Sequence, residues 1–349
     1  MTKNKIYRKS LYVIFLAMLL CSCGHFGRQA SFPEELHKHE FKFKDLGTAE
    51  YFILEKSLFG FDSSIEQGPI LMFVVPGSGC ASMQTFLSEY FRGLEGESGA
   101  IKIFVLQKRY ILSATKMQIG GAQHTDSEPC SSDFISNDHL SRWLADQQEF
   151  ILHMLELQGM SQARAQRLVI MGISEGAEVA PLLARTIPGV THLALLGNGG
   201  MQPMEAFRLL AEKQRVSRSL VADQVQQASL IDELDRVEKI DPHTPDYSMV
   251  NGRSALYWRE LIQLKHTENL LALTIPIFMA MGEADQAVPA ASALWIKNKF
   301  SQENKTNLHM VLFPLADHGL YSPNGFYLPD FMHQLDLWLG SNPTGLSKK

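Results

Sequence analysis

Short, largely apolar runs alternate with amphipathic segments along most of this chain. Residues 70–75, 101–106, 168–171, 192–196, 277–281 and 308–313 are such runs. Runs of this length with little polar alternation read as strands buried on both faces. Between them, Leu140, Trp143, Leu144, Phe150, Ile151, Met154 and Leu155 recur at helical spacing. They predict a helix over 138–157, with Ser136, Asn137 and Asp138 as capping residues at its start. A second helix is expected from residue 177 to 184, and a last one over 325–339. Strands alternating with helices predict an α/β domain whose mostly parallel sheet is covered by helices on both faces. Phe41 to Lys44 alternates apolar and charged positions, and with residues 50–54 it predicts an antiparallel hairpin at the sheet edge.

Residues 201–266 break this rhythm. The segment is polar and lacks strand signals. Leu209, Leu210, Val216, Leu220, Val221, Val225, Leu230 and Leu234 recur at near-helical intervals. It predicts a helical insertion, either a cap over a cleft mouth or a peripheral elaboration.

The N-terminus changes the picture of where the chain works. Lys3, Lys5, Arg8 and Lys9 precede an apolar run over residues 11–20. A basic start and a short apolar core read as a secretory signal, and the run is too short to span a bilayer. Leu20-Cys21-Ser22-Cys23 resembles the bacterial lipobox. The resemblance implies cleavage before Cys23 and lipidation of that cysteine, which would anchor an exported protein at a membrane facing the periplasm or cell surface. An ordinary secretory signal that happens to contain cysteines is the alternative. The chain then divides into a signal peptide at 1–22, a tether at 23–40, core at 41–200, the insertion at 201–266, core again at 267–340 and a tail at 341–349.

Without the signal's four basic residues, 28 Lys and Arg stand against 37 Asp and Glu, a formal net charge of −9. That balance, with no basic stripe, argues against nucleic acid as a partner. Beyond Cys23 only Cys80 and Cys130 remain. In an exported protein two such cysteines are expected to pair, free thiols being the alternative. With 45% hydrophobic residues the chain can bury a large core.

Candidate chemistry centres on Gly172-Ile173-Ser174-Glu175-Gly176, set between the apolar run 168–171 and the helix predicted after it. Strand, sharp turn and helix are the context in which G-x-S-x-G presents a serine hydroxyl to substrate. Met281-Gly282-Glu283-Ala284-Asp285-Gln286-Ala287-Val288-Pro289 follows a late strand, and Leu315-Ala316-Asp317-His318-Gly319 follows the last one. With these motifs, residues 65–340 resemble the serine hydrolases of the α/β-hydrolase family.

The resemblance implies an α/β-hydrolase fold and a triad of Ser174, Asp285 and His318, in the chain order usual for it. Glu283 is the second choice of acid. Asp317 is expected to orient the loop, and His309, inside a strand, to be structural. Pro76-Gly77-Ser78-Gly79-Cys80 stands where relatives usually have His-Gly before the oxyanion site. Backbone N–H groups of Ser78 or Gly79, and of Glu175, are the expected oxyanion donors. A Cys80–Cys130 bond would brace this loop.

The implied reaction is cleavage of an ester or related acyl bond through a covalent acyl-enzyme, with no cofactor and no metal. Small-molecule or peptide acyl compounds are the expected substrates. Amide or thioester cleavage, and an inactive binding lipoprotein, are the alternatives. Lys108 and Arg109 end a strand on the same edge, either paired with acids or free to meet an anionic substrate group. Trp143 and Trp258 are expected to pack.

Overall fold

The computed structural model describes residues 37–58, 69–80, 82–85, 87–111, 130–157, 167–217, 231–232, 234–239, 246, 248–250 and 253–341. The expected signal peptide, Cys23 and nearly all of the tether and tail lie outside them.

The strands are β1 (His37–Lys42), β2 (Thr48–Lys56), β3 (Ile70–Val75), β4 (Ile101–Leu106), β5 (Arg167–Ile173), β6 (His192–Leu196), the short β7 (Met249–Val250) and β8 (Arg253–Ser254), β9 (Ile277–Gly282), β10 (Leu308–Phe313), and the short β11 (Tyr321–Ser322) and β12 (Gly325–Phe326). Eight of them form one sheet in the order β1-β2-β4-β3-β5-β6-β9-β10. β1 and β2 pair antiparallel, as do β2 and β4, and every other pair is parallel. The expected edge hairpin is present, with both strands longer than the alternation indicated.

The helices are α1 (Leu87–Tyr90), α2 (Ser132–Asn137), α3 (Leu140–Leu157), α4 (Glu175–Thr186), α5 (Pro203–Ser217), α6 (Ala255–Ile262), α7 (His266–Ala272), α8 (Ala290–Gln302) and α9 (Leu328–Gly340). β3 shows why the central runs lack polar alternation. Leu71, Phe73 and Val75 join one core with Phe150 and Ile151 of α3 and Val179 and Leu183 of α4. Ile70, Met72 and Val74 join the opposite core with Phe331, Met332 and Leu335 of α9. Successive strand residues point to opposite faces, so a strand covered on both sides must be apolar throughout.

The helix predicted over 138–157 is present as α3, starting two residues later at Leu140. The short helix α2, not expected from the sequence, precedes it and is capped by Ser131, which accepts from the Phe134 N–H. One local expectation is corrected. The 201–266 segment contains a two-strand ladder, Met249 opposite Ser254 and Val250 opposite Arg253. Two-residue strands carry no periodicity that a sequence can display. The described part of this segment is also built into the body of the protein, since Leu234, Val237, Tyr257 and Trp258 belong to the core on the α3–α4 face.

β3 and β5 are neighbours whose onward connections run in opposite directions, to β4 on one side and β6 on the other. A crevice forms beyond the C-terminal ends of strands at such a switch point. Residues 76–80 and Ser174 both lie there.

Candidate active site

β5 delivers Ile173 to the sheet's C-terminal end, and α4 begins at Glu175. Ser174 makes the turn between them at φ 52° and ψ −115°. This left-handed backbone is sparsely populated for any side-chain-bearing residue and costs on the order of 1–3 kcal/mol. Neighbouring packing holds it. The Ser174 N–H donates to the Leu196 carbonyl at 2.7 Å, tying the turn to β6. A Cβ on Gly176 would stand 2.1 Å from the Val75 carbonyl oxygen, and one on Gly172 2.5 Å from Ala177 Cα. Those contacts require glycine at both places.

The Ser174 hydroxyl lies 2.9 Å from His318 Nε2, and His318 Nδ1 lies 2.7 Å from Asp285 Oδ2. In the neutral tautomer that suits both partners, Nδ1–H donates to the carboxylate and Nε2 accepts from the hydroxyl. Asp285 is fully buried. Its other oxygen accepts the N–H groups of Ala287 and Val288, each at 2.8 Å. Glu283, the second choice of acid, is exposed. Asp317 accepts the N–H groups of Gly319 and Tyr321 at 2.9 Å and so shapes the turn that carries His318. His309 stands on β10, stacked on Phe278.

Burial opposes charge on His318, but the hydrogen bond and charge of Asp285, helped by Asp317, outweigh it and raise its pKa. A hydroxyl, an imidazole and a buried carboxylate in one hydrogen-bonded line can move a proton off the hydroxyl as it attacks a carbonyl.

Gly77 approaches the turn closely. A Cβ there would be 3.4 Å from both the Ile173 carbonyl oxygen and Ser174 Cβ. Ser78 is exposed, and Gly79 takes a left-handed φ of +92°. Glu175 is the first residue of α4, where N–H groups have no intrahelical acceptor. The three expected donors thus belong to two segments that meet beside Ser174. Cys80 is bonded to Cys130, which ties this loop to the chain entering α2.

The Glu175 side chain turns away from solvent into a buried ionic cluster. It accepts from Lys108 Nζ at 3.2 Å to each oxygen and from Arg253 Nη1 at 2.9 Å and Nη2 at 3.3 Å. The Tyr257 hydroxyl donates to it as well. Arg253 also holds Asp138, through Nε and, at 2.7 Å, through Nη2. Its guanidinium lies 3.5 Å from the Tyr257 ring centroid. Burial opposes ionisation of Glu175, yet Arg253 and Lys108 outweigh it and hold its pKa at about 2. Burial brings Lys108 down to about 8. One turn on, Glu178 is pushed up to about 8 by burial, so it keeps its proton at neutral pH.

Lys108 and Arg109 are both engaged with acids. Arg109 grips Asp146 at 2.6 and 2.8 Å and Asp45 at 2.8 and 2.9 Å. Neither is free to meet an anionic substrate group. Trp143 packs over Lys108, and Trp258 packs against Phe207 and Tyr257. The roles of Asp138, Arg253 and Tyr257 were not legible from sequence, because 78 to 115 positions separate the partners they hold. Among the described residues, no group of three or more His, Cys, Asp or Glu is placed to hold a metal ion.

No protein-family model and no curated protein matches the sequence. Solved structures do. The chain is similar to Est1E from Butyrivibrio proteoclasticus, with a TM-score of 0.53 and 15% identity over 86% of this chain and 98% of that one. It is similar to the acylaminoacyl peptidase of Pyrococcus horikoshii, with a TM-score of 0.52 and 14% identity over 88% of this chain and 41% of that one. It is also similar to an esterase from Pyrococcus furiosus, with a TM-score of 0.50 and 11% identity over 88% of this chain and 92% of that one. Sheet order, strand directions and these likenesses agree that the chain has the α/β-hydrolase fold.

Proposed function

We propose that this protein is a serine hydrolase that cleaves a carboxylic ester or related acyl bond. The observation that carries the reading is His318 bridging Ser174 and the buried Asp285 at 2.9 and 2.7 Å, with Ser174 on a strained turn. Ser174 Oγ attacks the substrate carbonyl while His318 takes its proton. The tetrahedral oxyanion receives the N–H of Glu175 and that of Ser78 or Gly79. Collapse expels the leaving alcohol, which takes the proton from His318. Water, deprotonated by the same imidazole, then releases the acid and restores the serine. Amides and thioesters are open to the same steps, so peptidase and thioesterase substrates belong in the same screen.

The N-terminal pattern extends the reading to a lipid-anchored exported enzyme, held at the membrane through Cys23. Its support is the sequence of residues 3–23 alone.

A fluorophosphonate probe tests both parts in one experiment. Labelling is expected in the wild-type chain and absent in Ser174→Ala, with His318→Ala slowed by at least about 100-fold. In fractionated bacterial cells the labelled band is expected with the membranes, and in the soluble fraction after Cys23→Ser. A folded wild-type protein that takes no label would leave the inactive binding lipoprotein as the better reading.

A further inference from the structure

Glu175 presents a difficulty for any reaction at Ser174. Its carboxylate is buried on the residue next to the nucleophile, and its own N–H is a proposed oxyanion donor. An uncompensated negative charge there would oppose the negative charge that develops on the substrate oxygen, and low-polarity surroundings strengthen that opposition. The protein surrounds this carboxylate with charge from three other parts of the chain. Lys108 comes from the end of β4, Asp138 from the break between α2 and α3, and Arg253 from β8 inside the 201–266 segment. Tyr257 of α6 adds a neutral donor. Two cations face two carboxylates, so the cluster is balanced. Glu178, the other acid in the first turns of α4, is protonated at neutral pH and leaves that balance unchanged.

Arg253 is the centre of this arrangement. Its fork engages Asp138 along one edge and Glu175 along the other, a geometry that an ammonium group cannot reproduce. Ser254 follows it, donating to the Asp138 carbonyl at 2.7 Å and accepting the Tyr257 N–H at 3.0 Å. The 201–266 segment therefore reaches the serine turn directly.

We infer that Arg253 is a positioning residue for the reaction at Ser174: it neutralises the Glu175 carboxylate, holds it in place, and so fixes both the field and the backbone N–H beside the nucleophile. The inference rests on the serine-hydrolase reading for its effect on rate. Its electrostatic part stands without that reading, because the field at Ser174 is also the field at His318. The charges facing His318 directly are Asp285 and Asp317.

The test follows the His318 imidazole by NMR through a pH titration, alongside the rate of fluorophosphonate labelling. Arg253→Gln leaves the cluster with one net negative charge. The His318 midpoint is expected to rise by about half a pH unit or more. Labelling is expected to slow by about tenfold, with kcat on any ester substrate falling more than KM rises. Adding Asp138→Asn restores neutrality and is expected to return the midpoint to its wild-type position. Arg253→Lys keeps the charge and loses the fork, so the midpoint stays while labelling remains slow.

Should Arg253→Gln fail to fold, Asp138→Asn alone adds a net positive charge and is expected to lower the midpoint. A folded Arg253→Gln with wild-type midpoint and wild-type labelling rate overturns the inference, as does an unmoved midpoint in Asp138→Asn. A wild-type protein that takes no label sinks the hydrolase reading instead, and the titration still decides the electrostatic role.

Discussion

Ser174 and His318 show how single residues carry strain and charge that a sequence only hints at. The serine's left-handed turn is tolerable because Gly172 and Gly176 let α4 press against β5 and the end of β3. The spacing G-x-S-x-G announces that close approach, so the turn was legible from five letters. The protonation of His318 was not. Its raised pKa depends on Asp285, 33 positions away, and on how deeply the ring is packed. If His318 acts as the base, only its neutral form accepts the serine proton. Activity is then fully present above its pKa and lost as pH falls through it. The acidic limb of a kcat/KM profile is expected above the ordinary histidine value of about 6.5. Asp285→Asn, which removes the charge and disturbs the tautomer, is expected to lower kcat by about 10³ to 10⁴. A limb at or below the ordinary value would contradict the assignment.

Elements were legible where burial is two-sided and long. Each central strand appeared as an apolar run because both faces are covered, and the edge hairpin appeared as alternation. Breaks and joints between elements were less visible. The α2–α3 break falls at Asp138, whose carboxylate is directed to Arg253. Elsewhere, Asp336 of α9 is fully buried and gathers four backbone N–H groups from residues 95–98, at 2.8 to 3.2 Å. One carboxylate thus ties the last helix to the loop ahead of β4. Asp336→Ala would leave those donors unmet in the interior. The variant is expected to lose about 3 kcal/mol or more of stability, read as a lower midpoint in urea with wild-type labelling kinetics in the folded fraction. An unchanged midpoint would show that water satisfies the loop equally well.

The whole molecule brings the separate pieces to one edge. Topology places the turn after β3, the serine turn after β5, the acid after β9 and the histidine after β10 at the C-terminal side of one sheet. The Cys80–Cys130 bond closes a 50-position loop and fastens the first of these turns. Replacing both cysteines by serine is expected to lower stability by about 2–4 kcal/mol and to slow fluorophosphonate labelling, because the loop proposed to hold the oxyanion loses its brace. The check is thermal unfolding together with the labelling rate. A stability loss with an unchanged rate would confine the bond to a structural role.

Local patterns determined a good deal by themselves: the alternation that specifies an α/β sheet covered on both faces, the glycines that permit a serine turn, and the order of serine, acid and histidine along the chain. These depend on neighbours within a few positions, where sterics and periodicity act directly. The tertiary structure alone decided that Asp285 rather than Glu283 is buried against His318. It also decided that Lys108 and Arg109 are consumed by carboxylates, and that Arg253 of β8 meets Glu175 beside the serine. Charge pairing across such separations has no periodic signature, because it is set by which strands lie side by side and by the cost of leaving an ion unpaired in the interior.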